Sequence, residues 1–349
     1  MAREDSIPQK QNNIRIRYEE VINSVKGSLQ TGAIVEGALM ASLTAVLALM
    51  GIYLPFLRVL TDLVWTIPIV LVTVRRGIST GVLSIAAAGF LIFSLAGPVQ
   101  AVFLVLQFGL LALVYGYSFH KGFKPSLTLM WGVITSVASI LLVVFLSFLI
   151  SGINSLDLAA QMKESIEPTM EIYRKMGLFS TSGSQGLTEE AVRQMLEGVI
   201  QLISWMIPGI LAVYGLMSAF LNYIIAQKIL VKLRITVPQL PPFRYWQLPW
   251  WVIWGFILGF GLYLGSSYGR NHTLEIVAMN IMLLYAPVAF VLGLANCSFY
   301  LHKHPEKSAF FRVIFVILIV FFSAYTIIMI GGIGMADLLF NYRRLPGES

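Results

Sequence analysis

Nine stretches of the chain each run close to twenty mostly apolar residues, and no other feature limits the fold so severely. A helix rises about 1.5 Å per residue, so about 20 residues cross the roughly 30 Å hydrocarbon core of a bilayer. The stretches fall at roughly 33–56, 59–75, 77–96, 99–119, 126–150, 197–228, 248–267, 273–300 and 310–332, with ends good to about 4 residues. The second is the weakest, since Arg58 and Asp62 stand at its start and Pro68 in its middle; without it eight remain. Only 12% of residues are charged, 57% are hydrophobic, and the mean hydropathy is +0.80. Soluble domains carry about 25% charge, so a cytosolic enzyme or a nucleic-acid binder is a poor reading. The expected fold class is all-α, a polytopic membrane helical bundle of about nine spans.

Orientation follows from the basic residues, which accumulate on the cytoplasmic side. The first 32 residues are polar and mixed in charge and read as a cytoplasmic tail. The first apolar run starts near Ala33, too far from Met1 for a secretory signal, so the first span is expected to stay in the mature protein. With the N-terminus inside, the inner connections hold Arg75 and Arg76, Lys121 and Lys124, the group Lys228 to Arg244, and Lys303, Lys307 and Arg312. The long connection at 152–196 carries four basic against six acidic residues and falls outside. An odd span count then puts the C-terminus outside, against the bias of Arg343 and Arg344. The +7 net charge needs no acidic partner, because membrane proteins collect Lys and Arg in their inner loops.

The outer segment has helices of its own. One is expected over 156–176, broken or kinked at Pro168, then a Ser/Gly linker at 180–186. Thr188 is placed as an N-cap with Glu189 and Glu190 in the first turn of a helix that runs into span six. Two readings stand: interfacial helices on the outer surface, or a lid over an outward cavity.

Small and polar positions within spans separate packing from function. Ala38, Ala41, Ala45 and Ala48 recur at spacings of three and four, giving a smooth face for packing inside the bundle or for docking another membrane subunit. The pairs Gly77 and Gly81, Gly255 and Gly259, and Gly261 and Gly265 repeat the pattern and read as internal packing. Arg58 and Asp62 are four apart, beside Pro55 and Trp65; they form either one wall of an outward solute pocket or an ion pair at the interface. Glu36 reads as interfacial, while Gln107, Gln201, Asn222, Glu275, Asn280 and Asn296 read as bridges between helices.

Catalytic signatures such as HExxH, GxSxG and the phosphate-cradling GxxxxGK[ST] are absent from the sequence, so no ATP hydrolysis by the usual route is expected and the chain is read as no enzyme. The single Cys297 allows no internal disulfide, and His302 with His304 lacks partners for a metal; no cofactor is expected. Asn271-His272-Thr273 matches a glycosylation sequon by chance frequency, and GGIG at 331–334 reads as a helix stop. The loop PQLPPFRYWQLPWW at 238–251 is read as an interfacial anchor or as a docking strip for a partner.

The succession ALMASLTAVLALMGIYLPFL, WTIPIVLVTVRRGISTGVLSIAAAGFLIFSLAGP and LALVYGYSF resembles the first four spans of S-components of energy-coupling factor (ECF) transporters. The whole chain resembles the YybS-like family of bacterial membrane proteins, a domain of unknown function distantly similar to those S-components. The resemblance implies an inner-membrane protein that binds a small-molecule solute from outside and relies on an ECF-type transmembrane coupling subunit and ATPases. It implies an AxxxA contact with that subunit through Ala41 and Ala45, and a pocket walled by Pro55, Arg58, Asp62 and Trp65. The implied organisation is a tail at 1–32, a six-span S-component-like bundle at 33–230 with the insertion at 152–196, an inner loop at 231–247, three further spans at 248–332 and a tail at 333–349. The reading from a different class is a scaffold or assembly protein of the cell envelope that binds no small molecule.

Overall fold

The computed structural model describes residues 31–151, 158–177, 179, 188–303 and 323–345. The N-terminal tail up to residue 30, the Ser/Gly linker at 180–186, and His304, Lys307 and Arg312 with the first half of the ninth stretch lie outside the described residues. Among the described residues there are helices and turns and no strand. In chain order they are α1 (Thr31–Tyr53), α2 (Arg58–Val64), α3 (Thr66–Arg76), α4 (Ile78–Ala96), α5 (Pro98–Leu104), a π-helical turn (Val105–Gly109), α6 (Leu110–Lys121) and α7 (Pro125–Ser151). Then come α8 (Leu158–Glu164), α9 (Ile166–Lys175), α10 (Glu189–Lys232), α11 (Ile253–Gly269), α12 (His272–Lys303) and α13 (Ser323–Phe340). Among the described residues eight helical segments are long and apolar enough to cross a membrane, with Pro55–Arg76 counting as one, so the weak second stretch qualifies. The ninth is a shorter apolar helix, Tyr325–Phe340.

Prolines set the breaks. A proline ring clashes with the carbonyl four residues back and offers no N–H, so the helix stops upstream of the proline itself. Pro68 sits in the first turn of α3 and α2 ends at Val64; Pro168 sits in the first turn of α9 and α8 ends at Glu164. The break expected at Pro168 therefore lies at Ser165. Gly77 and Gly97 make the tight turns on either side of α4 with φ of 90° and 94°, a region that L side chains rarely enter.

The chain divides into two compact units. The first comprises Met1–Ser139 and Ser218–Gln239, the second Ile140–Met217 and Leu240–Ser349. The division cuts α7 and α10, whose 27 and 44 residues are long enough for their two ends to pack with different neighbours.

In the first unit α3 packs along α6 and α4. One apolar core joins Ala45, Ala48, Trp65, Ile92, Leu104 and Phe108, with the Trp65 and Phe108 rings edge to face at 5.5 Å. A second gathers Tyr115, Phe119 and Tyr223, where the Tyr115 hydroxyl donates to the Ala219 carbonyl at 2.7 Å. Thr66 Oγ1 donates to Asn222 Oδ1 at 2.7 Å and ties α3 to α10, as the bridging reading of Asn222 expects. Glu36 holds both Arg76 and Arg75, at 2.6 and 3.1 Å, fastening α1 to the last turn of α3.

In the second unit α12 packs along α11 and α13. Gly255 and Gly259 receive Tyr285 and Ile281 of α12, as expected of internal packing, whereas Gly261 and Gly265 face open space. The GGIG sequence is not a helix stop: it lies inside α13, because the glycines let two backbones meet. A Cβ at Gly334 would fall 2.4 Å from the Ala289 carbonyl oxygen, and one at Gly293 would fall 1.9 Å from that of Ile330. Outside the spans, α9 and the start of α10 share a core of Ile166, Met170, Val192 and Ile200. Ion pairs Arg174–Glu189 and Arg193–Glu167 flank it, and Thr188 Oγ1 accepts the Ala191 N–H as the predicted N-cap.

Candidate functional site

The predicted pocket residues lie on the short helix α2 and the break that follows it. Four-residue spacing puts Arg58 and Asp62 on one face, where Arg58 Nε stands 3.9 Å from Asp62 Oδ2. Arg58 remains largely exposed and Asp62 half-buried, with side-chain exposures of 62% and 23%. Trp65, at the end of α2, turns inward and is 1% exposed. Its Nε1–H has no hydrogen-bond partner among the described residues. Arg58, Thr61, Asp62 and Trp65 line one small cavity together with Ala48 of α1 and Gln100 of α5. Pro55 is not among the lining residues; it starts an exposed turn, Pro55–Leu57, before α2.

The cavity measures about 10 Å³. That is room for about one water, against the roughly 300–1,000 Å³ of pockets that enclose small molecules. An unpaired indole N–H, a carboxylate and a guanidinium around so small a space make a polar spot at the end of an apolar core. α2 itself is lightly held: Thr61 is its one buried residue, Val59 and Leu60 are exposed, and so is Phe56 in the turn before it.

The alanine face on α1 is placed differently from its expected docking role. Ala41, Ala45 and Ala48 are 1%, 3% and 4% exposed, and Ala45 and Ala48 belong to the core around Trp65. These three alanines are buried by packing within the chain; Ala38 falls outside that face and is exposed.

Two polar arrangements in the second unit carry more than their sequence signals suggested. Pro208 lies inside α10 without breaking it. The neighbouring rung, which in a regular helix runs from the Gly209 N–H to the Trp205 carbonyl, is filled by Asn280 of α12. Its Oδ1 accepts from Gly209 N at 2.6 Å and its Nδ2 donates to Trp205 O at 2.8 Å. The second arrangement was missed. Arg343 and Asp337 form an ion pair with side chains 1% and 2% exposed, Arg343 Nε donating to Asp337 Oδ2 at 2.8 Å. The two terminal nitrogens of Arg343 donate to the carbonyls of Arg244 and Trp246, at 2.8 and 2.9 Å. The tail is thereby bolted to the Pro/Trp-rich loop, and the two lie on one face of the unit. This corrects the odd-count assignment of the tail to the opposite side, because a direct bond leaves no span between them. Asp337, an acid in the apolar run ADLLF, was the available signal.

A family model described as a predicted membrane protein (DUF2232) matches residues 42–338. The chain is 25% identical over 319 residues to a Bacillus subtilis (strain 168) protein named "Uncharacterized protein YybS", covering 90% of this chain and 98% of the relative. No solved structure matches.

Proposed function

We propose a solute-binding role for this chain, which belongs to the DUF2232 family of predicted membrane proteins and is a multi-pass integral membrane protein. In this reading the first unit binds a small polar molecule at the end of α2, and the role is noncatalytic. The observation that carries the reading is the convergence of Arg58, Asp62 and Trp65 on one cavity, with the buried Trp65 N–H lacking a partner. A buried donor left unpaired costs about 1–3 kcal/mol, which a bound acceptor would recover. The cavity described is the closed state. α2 is the element that moves to enlarge it, because it gives up little buried surface on leaving. Following the Lys and Arg of the loops, the N-terminus lies in the cytoplasm of a bacterium and the cavity opens outward across the plasma membrane. Energy for transport would come from partner subunits of the ECF type, docking on a surface other than the buried Ala41 and Ala45.

The test is native mass spectrometry of gently extracted protein. A co-purifying small molecule that is lost from Trp65→Phe and Asp62→Asn supports the reading. Protein or lipid adducts alone would sink it and favour a scaffold of the cell envelope. That second reading draws on the water-sized cavity and on Trp250, Trp251 and Trp254, all more than half exposed.

A further inference from the structure

A polar bowl opens at the turn between α11 and α12, at the end of the second unit away from the Pro/Trp-rich loop. It measures about 240 Å³ and is lined by Ser266, Ser267, Arg270, His272 and Glu275. Its depth is fixed by its walls. α11 extends the 20-residue span Trp250–Gly269, so the turn sits one membrane thickness from Trp250. Trp205 meets the His272 ring edge to face at 4.2 Å, and Tyr268 beside the bowl is 93% exposed, both being rings that favour headgroup level.

The turn is rigid. Asn271 N donates to Ser266 O at 3.3 Å, and Asn271 Oδ1 accepts the N–H groups of Thr273 and Leu274, at 3.1 and 3.3 Å. This use of Asn271 as a cap gives the sequon asparagine a structural task. Arg270 adopts the left-handed conformation, φ 48°, and its guanidinium has no partner among the described residues. Among the described residues the Glu275 carboxylate is approached only by His272, whose Nδ1 stands 3.3 Å from Oε2. Arg270 and Glu275 thus line the same bowl without closing on each other. Ser266 and Ser267 direct their hydroxyl hydrogens to the Tyr263 carbonyl, at 2.7 and 3.3 Å, which leaves their oxygens as acceptors.

We infer that this bowl holds a phosphoethanolamine group, supplied by a membrane lipid. The phosphate pairs with Arg270, whose fork of donors suits phosphate oxygens. The primary ammonium, with three N–H donors, is received by the Glu275 carboxylate and the serine oxygens. Choline carries no N–H and cannot make those bonds, and a glycerol headgroup brings no positive charge for Glu275. At about 240 Å³ the bowl fits a headgroup and leaves the acyl chains in the bilayer.

The experiment uses full-length protein in detergent, incubated with equal amounts of palmitoyl-oleoyl phosphatidylethanolamine and phosphatidylcholine, and read by native mass spectrometry. Wild type is expected to retain the ethanolamine lipid about tenfold over the choline lipid, a single well-made charged contact's worth. Glu275→Gln, nearly isosteric, is expected to bring that ratio close to one. Arg270→Gln lowers retention of both lipids about tenfold, and Arg270→Lys, which keeps the charge but not the fork, restores only part of it. Equal retention by wild type overturns the inference, as does a ratio untouched by Glu275→Gln, even if Arg270→Gln fails to fold. A last arm adds soluble glycerophosphoethanolamine: displacement of the lipid at equal concentration would overturn the lipid source and assign the group to a soluble phosphate ester.

Discussion

In the first unit helices meet through rings, Trp65 against Phe108 and Tyr115 against Tyr223; in the second, α12 and α13 meet backbone to backbone at Gly293 and Gly334. Lipid gives apolar helices no reason to leave it, so association needs either good shape or polar bonds. The first unit relies mainly on shape. Its aromatic core leaves Trp65 Nε1, Thr44 Oγ1 and the Tyr223 hydroxyl buried without partners among the described residues. The first bonds a side chain to backbone across helices at Tyr115, on the Ala219 carbonyl; the second does so with Asn280 into α10 and with Arg343 onto the Arg244 and Trp246 carbonyls. Ring contacts are made by side chains that can shift; a glycine crossing and a buried ion pair have one geometry each.

The contrast is most exposed at Arg343. Arg343→Met leaves the Asp337 carboxyl and two carbonyls without their partner in a dry site, and is expected to cost about 3–5 kcal/mol, seen as early unfolding of the second unit in detergent. Two substitutions then compare the cores directly. Gly293→Ala adds one methyl against the Ile330 carbonyl, which cannot turn aside, and is expected to cost about 3 kcal/mol. Ala45→Leu adds far more volume against side chains that can shift, and is expected to cost about 1–2 kcal/mol. If Ala45→Leu proves the worse of the two, the first core is as rigid as the second and the comparison fails. Asn280→Ala, which strips the filled rung of α10, is expected to cost about 1–2 kcal/mol by the same unfolding measurement.

The helical spans were legible because apolar length is a local property: observed spans such as Ile78–Ala96 and Pro98–Lys121 begin or end within a few residues of expectation. The Thr188 cap and the Arg58–Asp62 pairing were legible for the same reason, each being set within four residues. What the sequence hid depends on distant partners. GGIG carries the local mark of a helix stop, and only the approach of Gly293, about 40 positions earlier, makes it a crossing. Arg343 gives no local sign of carbonyls nearly a hundred residues away. Ala41 and Ala45 offer the same smooth face to a partner subunit or to the chain's own core, and spacing alone cannot tell which arrives first. Arg58, Asp62 and Trp65 line one space, but its size depends on how Ala48, Leu104 and Gln100 fill it.

The borrowed rung of α10 has a mechanical meaning. Sliding α12 along α10, or turning one about its axis, would withdraw the Asn280 amide and strand a peptide N–H and a carbonyl in hydrocarbon, where nothing else can reach them. The first halves of α10 and α12 therefore travel as one beam, and a motion that tilts either helix must carry the other.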